Sequence, residues 1–525
     1  MDDQHSARLR GSATRAVALM RLRRQCAPPR DPPIVCHVSS VFRRFTANVG
    51  RIYAAQLVTG LFGVAFVPFA VERLGLEGYA LWSVYGILQG YIVLAELGLG
   101  KNMVRLLAST DHPGTRLRLL QTASATFVFV AVGLLLAAWP LAVVASDVLF
   151  PVAASARLTV RGIALLAVAD YLLGIPTAMR VGMTMADRRF DRLASFNAFA
   201  GLLRFGTGAA AVGFGWSPLG VVAATVLRRL PEWAVAEAML EPLPRGWARP
   251  RAERDGVHQF VGQTLELSAA QVLQVTVISM GTFLVGWRSG LAGVGAFRAV
   301  FDVVAKVWFI SSGIGVVLFP TLSGAVSSPS RRAEVAAVLP PLLSLSFAAF
   351  AVLAAAGGVA TPLAVALLRF DFPEAPAVFA LLLGGIVFTA HANVSYELLQ
   401  SLAAYRRIAV LNAATLVFYV AATWVVPVTS PTVAVAAAWW LAQLASALAA
   451  DALGSAALAA GPVPWTRRVA PISLVATSVW AAVRPGAASM GAVAAAAIAT
   501  AAILPSTWRR LAHIRRAATP SVPPS

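Results

Sequence analysis

Between Arg51 and Pro505 the chain is a succession of fourteen apolar stretches, at 51–71, 79–100, 119–145, 159–186, 194–214, 219–240, 263–286, 293–319, 336–368, 376–400, 408–427, 432–458, 468–484 and 487–505. A segment of roughly 20 apolar residues is long enough to cross a bilayer as a helix. Only 13% of the residues are charged, against about a quarter in a soluble protein. Little sequence is left for a soluble domain. The expected fold is all-α, a polytopic membrane protein of about fourteen helices. The stretch 336–368 is longer than a crossing needs, and Pro340-Pro341 and Pro362 are expected to bend or shorten it.

The net charge of +20 would point to nucleic acid in a soluble chain. Its distribution points to topology instead. With the N-terminus inside, 31 Lys and Arg residues fall in cytoplasmic segments and six in outer loops. That split predicts both termini in the cytoplasm of a cell inner membrane, and nucleic-acid binding is not needed to explain the charge. Residues 1–50 are polar and rich in Arg and Pro, and the run Ala27-Pro28-Pro29-Arg30-Asp31-Pro32-Pro33 breaks any helix. This segment is expected to be a disordered basic tail; no apolar core follows its early basic residues, so it is not expected to be a secretory signal. Residues 508–525 form a second tail. Cys26 and Cys36 match neither a metal pattern nor a disulfide framework.

Two pairs of segments repeat. Gly75-Leu76-Glu77-Gly78 matches Gly290-Leu291-Ala292-Gly293, and Ala186-Asp187-Arg188-Arg189 with Asn197 matches Ala404-Tyr405-Arg406-Arg407 with Asn412. The spacings, 215 and 218 residues, predict two parallel lobes of six spans: 51–240 and 263–460, joined by a cytoplasmic linker at 241–262. The last two spans, in 461–507, are an appendage. Two such lobes are the build of a transporter with its site at their interface.

Charges inside the spans are the candidate site, because lipid-facing charge is costly. Arg298, Asp302 and Lys306 lie at i, i+4 and i+8 of one apolar stretch, Gly293 to Pro320, and so share a helix face. Arg204 falls midway along 194–214. Arg228, Arg229 and Glu232 flank Pro231, where a local Arg–Glu pair at a kink is expected. Asp170 is placed to take a proton or join an ion pair. Glu397 and His391 lie in the inner half of span ten. Glu266 and Glu96 lie near inner ends, and Arg180 is expected to snorkel.

The run Val67-Pro68-Phe69 through Leu74-Gly75-Leu76-Glu77-Gly78-Tyr79-Ala80-Leu81-Trp82-Ser83 resembles the first hairpin of bacterial polysaccharide-export flippases. So do Ala95-Glu96-Leu97-Gly98-Leu99-Gly100 with Arg105, Val294-Gly295-Ala296-Phe297 and Leu318-Phe319-Pro320-Thr321-Leu322-Ser323. The family is the oligosaccharidyl-lipid flippase branch of the multidrug/oligosaccharidyl-lipid/polysaccharide (MOP) superfamily, and the resemblance covers roughly residues 50–460. The family often has Asp where this chain has Glu96. The resemblance implies a MATE-like fold, two six-helix lobes around a central cavity. It implies movement of a polyprenyl-diphosphate-linked glycan to the outer leaflet by alternating access, in a monomer that meets membrane lipids and the glycosyltransferases or polymerase of the same pathway.

A lipid diphosphate is anionic, so a flippase lumen is expected to present cations. Arg298, Lys306 and Arg204, with Asp302 among them, are the candidate substrate-binding charges. Asp170 and Glu397 are the candidates for ion or proton coupling. The competing reading has Asp302 neutralising its neighbours by i,i+4 pairing. Two other functions stay open: a MATE-like drug or cation antiporter, and a non-transporting scaffold of a glycan-assembly complex. An enzyme is not expected, nor a metal or other cofactor: the six histidines are scattered, and no Walker-type loop occurs.

Overall fold

The computed structural model describes residues 34–95, 103–104, 106–107, 110, 112–150, 153–187, 189–249, 254–311, 322, 329–426, 430–484, 486–505 and 507–509. The chain divides into two units, residues 1–50 and residues 51–525. In the first, the described residues 34–50 are helical, starting directly after Pro33, within the stretch expected to be an irregular tail. Everything below concerns the second. The candidate Glu96, the Arg105 motif, Leu318–Phe319–Pro320 and the tail beyond Arg509 lie outside the described residues. The side chain of Glu266 does as well.

Among the described residues the secondary structure is helical throughout. The helices are α1 (Ile34–Ala95), α2 (Pro113–Val144), α3 (Ala154–Ala186), α4 (Phe190–Gly213), α5 (Pro218–Leu227), α6 (Arg229–Met239) and α7 (Arg254–Val304). They continue with α8 (Pro329–Val359), α9 (Thr361–Leu367), α10 (Ala375–Ser401), α11 (Tyr405–Val425), α12 (Pro431–Ala457), α13 (Thr466–Val483) and α14 (Ala487–Ala501). Nine described helices are long and apolar enough to cross a membrane. The expected break in 336–368 falls at Pro362, where α8 ends and α9 begins, whereas Pro340 and Pro341 lie inside α8 without ending it. Proline at the first turn starts α2, α5 and α12, where its missing N–H costs no helical bond. Ser217 caps α5 by accepting from Gly220 N–H at 3.3 Å.

Two of the nine are hairpins. In α1 the chain reverses at Gly75 (φ 71°, ψ 172°), and in α7 at Gly290 (φ 67°, ψ −167°). These conformations lie in the region open to glycine and strained for other residues. Phe66 then meets Trp82 across the first hairpin, with ring centroids 5.3 Å apart. In the second, Gly281 faces Phe297 and Gly286 faces Val294. The two glycines are 215 residues apart, the spacing of the repeated motif. The second repeat holds the same spacing: Arg189 before α4 and Ala404 before α11 have matching backbones (φ −85°, ψ 58° and φ −83°, ψ 44°). The structural equivalence is therefore Arg189 to Ala404, which shifts the basic pair of the expected 218-residue match by three positions and aligns Asn197 with Asn412.

The helices associate in two groups. In the first, α2 packs on α3, and α3 and α4 pack on α5 and α6. The first arm of α1 joins α4 through Phe66 and Phe205, whose centroids are 5.8 Å apart, and its second arm joins α3 through Gln89 Nε2 donating to Ala167 O. In the second group α7, α8, α10, α11 and α12 pack together. Here α7 meets α11 through Asn412 Nδ2 donating to Ala270 O, the counterpart of the α1–α4 contact. Helices α13 and α14 pack on α8, and α13 also meets α10. The start of the expected linker is docked rather than free: Gln121 Nε2 donates to Gly246 O at 3.0 Å and Glu241 N–H to Thr184 Oγ1 at 3.0 Å.

Replacing Gly75 or Gly290 by alanine forces a side chain into a left-handed backbone; each variant is expected to lose more than about 1 kcal/mol of stability. Thermal unfolding of the purified protein measures it, with Gly133→Ala, an exposed helical position with open space around it, expected to be neutral or slightly stabilising.

Candidate functional site

The second arm of α7 carries the candidate charges along one face, and that face meets the first lobe. Arg298 and Asp302 form an i,i+4 ion pair, with side-chain exposures of 11% and 23%. The guanidinium lies 4.9 Å from the Phe301 ring centroid. Tyr79, on the second arm of α1, donates its hydroxyl to Asp302 Oδ2 at 2.8 Å. One carboxylate thus ties the two lobes and neutralises Arg298. The pairing reading of Asp302 describes Arg298, and it does not extend to Lys306.

One turn further, the helix tightens to a 3₁₀ turn at Ala305–Val307 before resuming. A short 3₁₀ segment inside a helix marks a local bend or strain point, and Lys306 sits on it. Its Nζ is 5.9 Å from the ring centroid of Phe205 and 5.7 Å from that of Phe309. Arg204, on α4 of the other lobe, places its Cζ 6.0 Å from the same Phe205 ring. Gly63 on α1 makes room: a Cβ there would stand 3.0 Å from Phe205 and 3.1 Å from Lys306. Lys306 lies within electrostatic reach of Arg204, Arg298 and Asp302. Neither Lys306 nor Arg204 has an ion-pair partner among the described residues, and Arg204 Nε is buried without a hydrogen bond. Both side chains are half-buried. The result is two positive charges without an ion-pair partner among the described residues, one from each lobe, beside one aromatic ring.

The buried charges around Asp170 in the first lobe form a neutral cluster. Asp170, 1% exposed, takes Arg229 on both oxygens, Nε at 2.7 Å and Nη2 at 3.0 Å. Arg229 Nη1 also donates to Glu232 at 2.9 Å, and Arg228 pairs with Glu232 and approaches Asp170 at 3.8 Å. Two arginines and two carboxylates leave no net charge. The local Arg–Glu pair at Pro231 is present, and the break between α5 and α6 at Arg228 lets both arginines reach Asp170. Arg180 pairs with exposed Glu237 at 2.9 Å.

The second lobe holds a separate polar cluster. His391 and Ser395, one turn apart on α10, both meet Asp451 of α12: Nε2 to Oδ2 at 3.1 Å and Oγ to Oδ1 at 2.9 Å. Arg468, at the start of α13, approaches the same carboxylate at 3.8 Å. Glu397 is half-buried on α10, two residues beyond Ser395. Asp451, an ion inside the apolar stretch 432–458, carries the same signal as the other candidate charges and was missed, whereas Tyr79 and Arg468 act through partners remote in the chain. Among the described residues no group of three or more His, Cys, Asp or Glu side chains is placed to hold a metal.

The fold is shared with solved structures. The chain superposes on the inward-facing conformation of a multidrug resistance MATE family transporter of the MOP superfamily with a TM-score of 0.61 at 13% identity, over 78% of this chain and 98% of that one. The outward-facing conformation of a transporter so described gives 0.53 at 13%, over 78% and 95%. A mutant Vibrio cholerae MATE transporter gives 0.53 at 14%, over 79% and 98%. At such identities the likeness establishes a MATE-like fold. No protein-family model matches the chain, and no curated protein matches it in sequence.

Breaking a buried ion pair by removing one partner costs about 3–5 kcal/mol, because the other charge is left uncompensated. Asp170→Asn is therefore expected to lower thermal stability strongly, and Arg204→Gln, which removes a charge with no ion-pair partner among the described residues, to leave it unchanged or raise it. Scanning fluorimetry of the two purified variants decides between them.

Proposed function

We propose that this protein is a transporter that carries a polyprenyl-diphosphate-linked oligosaccharide across the cell inner membrane by alternating access. The observation that carries this reading is the pair Arg204 and Lys306. A charge at bilayer depth is retained against a cost of several kcal/mol. Elsewhere in the described core that cost is offset by local partners, as at Asp170. Arg204 and Lys306 have no ion-pair partner among the described residues, and a diphosphate would supply two charges and several acceptors to a guanidinium and an ammonium together. Because the two cations belong to different lobes, one ligand bound to both would couple binding to lobe movement. The glycan would cross with the diphosphate between the lobes, while the prenyl chain stays in lipid.

The contacts at the hairpin end support alternating access. There Glu72 pairs with Arg369 at 3.2 Å, Trp287 Nε1 donates to Val148 O at 3.2 Å, and the backbone of Leu76 lies against Gly295, where no side chain fits. The distribution of Lys and Arg makes this the outer end. Asp170 and Glu397 are proposed to couple ion movement, Asp170 by exchanging its bidentate arginine for an ion.

The second reading is a drug or cation antiporter, favoured by the multidrug MATE structures that share the fold. The two differ in the sign of the ligand. Each charge-assisted hydrogen bond contributes about 1.5–3 kcal/mol, so Arg204→Gln and Lys306→Gln are each expected to weaken binding of farnesyl diphosphate by roughly ten-fold or more. Tetraphenylphosphonium binding should stay undetected throughout. Unchanged diphosphate affinity in both variants, with tetraphenylphosphonium bound by the wild type, would establish the antiporter instead.

A further inference from the structure

We propose that His391 is a proton-binding site of the second lobe, loaded and unloaded as the lobes move; the link to movement rests on the transport reading above. The imidazole is 1% exposed, stacked on Phe347 of α8 with centroids 4.6 Å apart. Its Nε2 faces Asp451 of α12 at 3.1 Å, and its Nδ1 faces Ser346 Oγ of α8 at 3.2 Å. Every polar atom of the ring is therefore engaged, and one hydrogen bond is reversible. In the neutral ring Nε2–H donates to Asp451 and Nδ1 accepts from the Ser346 hydroxyl. When Nδ1 takes a proton, it donates to Ser346, whose hydroxyl turns away, and the contact to Asp451 is kept. No other atom needs to move for the proton to be held.

The charge around the ring makes that proton consequential. The charged groups facing His391 among the described residues are Asp451 from α12 and, across the same carboxylate, Arg468 from α13; α8 contributes Ser346 and Phe347, and α10 contributes Ser395. With a neutral imidazole, Asp451 and Arg468 cancel. With a protonated one, a single carboxylate stands between two cations. Arg468, 3.8 Å away and with its Nε buried and unbonded, is the weaker-held of the two. Protonation thus loosens α13 from α12 and strengthens the tie from α10 to α12. In the first lobe the buried carboxylate of Asp170 is instead held by the bidentate Arg229.

The test uses the full chain in lipid nanodiscs with ¹⁵N-labelled histidine, the His391 resonances being assigned by their loss in His391→Gln. The expected result is uptake of one proton at Nδ1 as the pH is lowered from 9 to 5; a ring held in one protonation state across that range overturns the site. Ser346→Ala, which removes only the Nδ1 partner, should change the titration midpoint, and an identical curve would also overturn it. Coupling is read from a spin-label pair at Arg73 and Asp371, exposed positions beside the Glu72–Arg369 contact that leave it in place, with Cys26 and Cys36 replaced by serine. The inter-label distance should change between pH 5.5 and 8 and cease to do so in His391→Gln; a pH response that survives the substitution, or none in the parent, overturns the coupling. Neither readout uses a lipid ligand. A failure of farnesyl diphosphate to respond to Arg204 or Lys306 therefore counts against the substrate and leaves the His391 result standing on its own.

Discussion

A charge inside a membrane protein must find an opposite charge, a ring of dipoles or water, and the arrangement of this molecule follows from where each one finds it. Asp170, Arg228, Arg229 and Glu232 find one another and leave a neutral knot inside the first lobe. Arg298 finds Asp302, which takes Tyr79 from the opposite lobe as well. Asp451 finds His391 and Arg468. Arg204 lies near the ring of Phe205, and Lys306 near those of Phe205 and Phe309, and neither has an ion-pair partner among the described residues. Cation–π contact is worth about 0.5–2 kcal/mol, less than the several kcal/mol that burying an ion costs. That shortfall is why these two residues are proposed as the anion site.

The hairpins give these charges their positions. Gly75 and Gly290 turn α1 and α7 back on themselves with the same left-handed geometry, so each lobe begins with two antiparallel arms. The second arm of α7 then runs beside the first lobe, with Gly63 and Gly295 allowing close approach on its two flanks. Small residues at helix crossings let backbones come together where lipid offers no hydrophobic drive. The face bearing Arg298, Asp302 and Lys306 is turned inward as a consequence, and the change to a 3₁₀ turn at Lys306 swings that side chain towards Phe205 and Phe309.

Much of this could be read from residue order alone. The apolar stretches mark the helices because length and apolarity are local properties, and the glycine of each hairpin is visible as a repeated motif because both turns need the same backbone. The basic pairs near Arg189 and Arg406 were legible as a repeat, but their spacing misled by three residues: the arginines need only reach the same membrane face, whereas Asn412 must meet the backbone of Ala270 in α7 and so holds the true register. Candidate charges were visible one at a time, since any ion in an apolar run stands out. Their partners were not. Asp170 and Arg229 are 59 residues apart, and Tyr79 and Asp302 are 223 apart, so only the packed helices distinguish a neutralised charge from a free one. Arg298 and Lys306, alike in sequence context, fall on opposite sides of that distinction.

The appended helices also change meaning once packed. By sequence α13 and α14 are additions to a twelve-span repeat, yet Arg468 of α13 reaches the carboxylate that holds α10 to α12. The second lobe is therefore not electrostatically closed without α13. The central claim, an anion held jointly by both lobes, is tested most directly by a cryo-EM structure of the full chain in nanodiscs with farnesyl diphosphate. The account predicts phosphate oxygens within hydrogen-bond distance of both the Arg204 guanidinium and Lys306 Nζ. A diphosphate bound elsewhere, with these two cations paired to protein carboxylates, would contradict it.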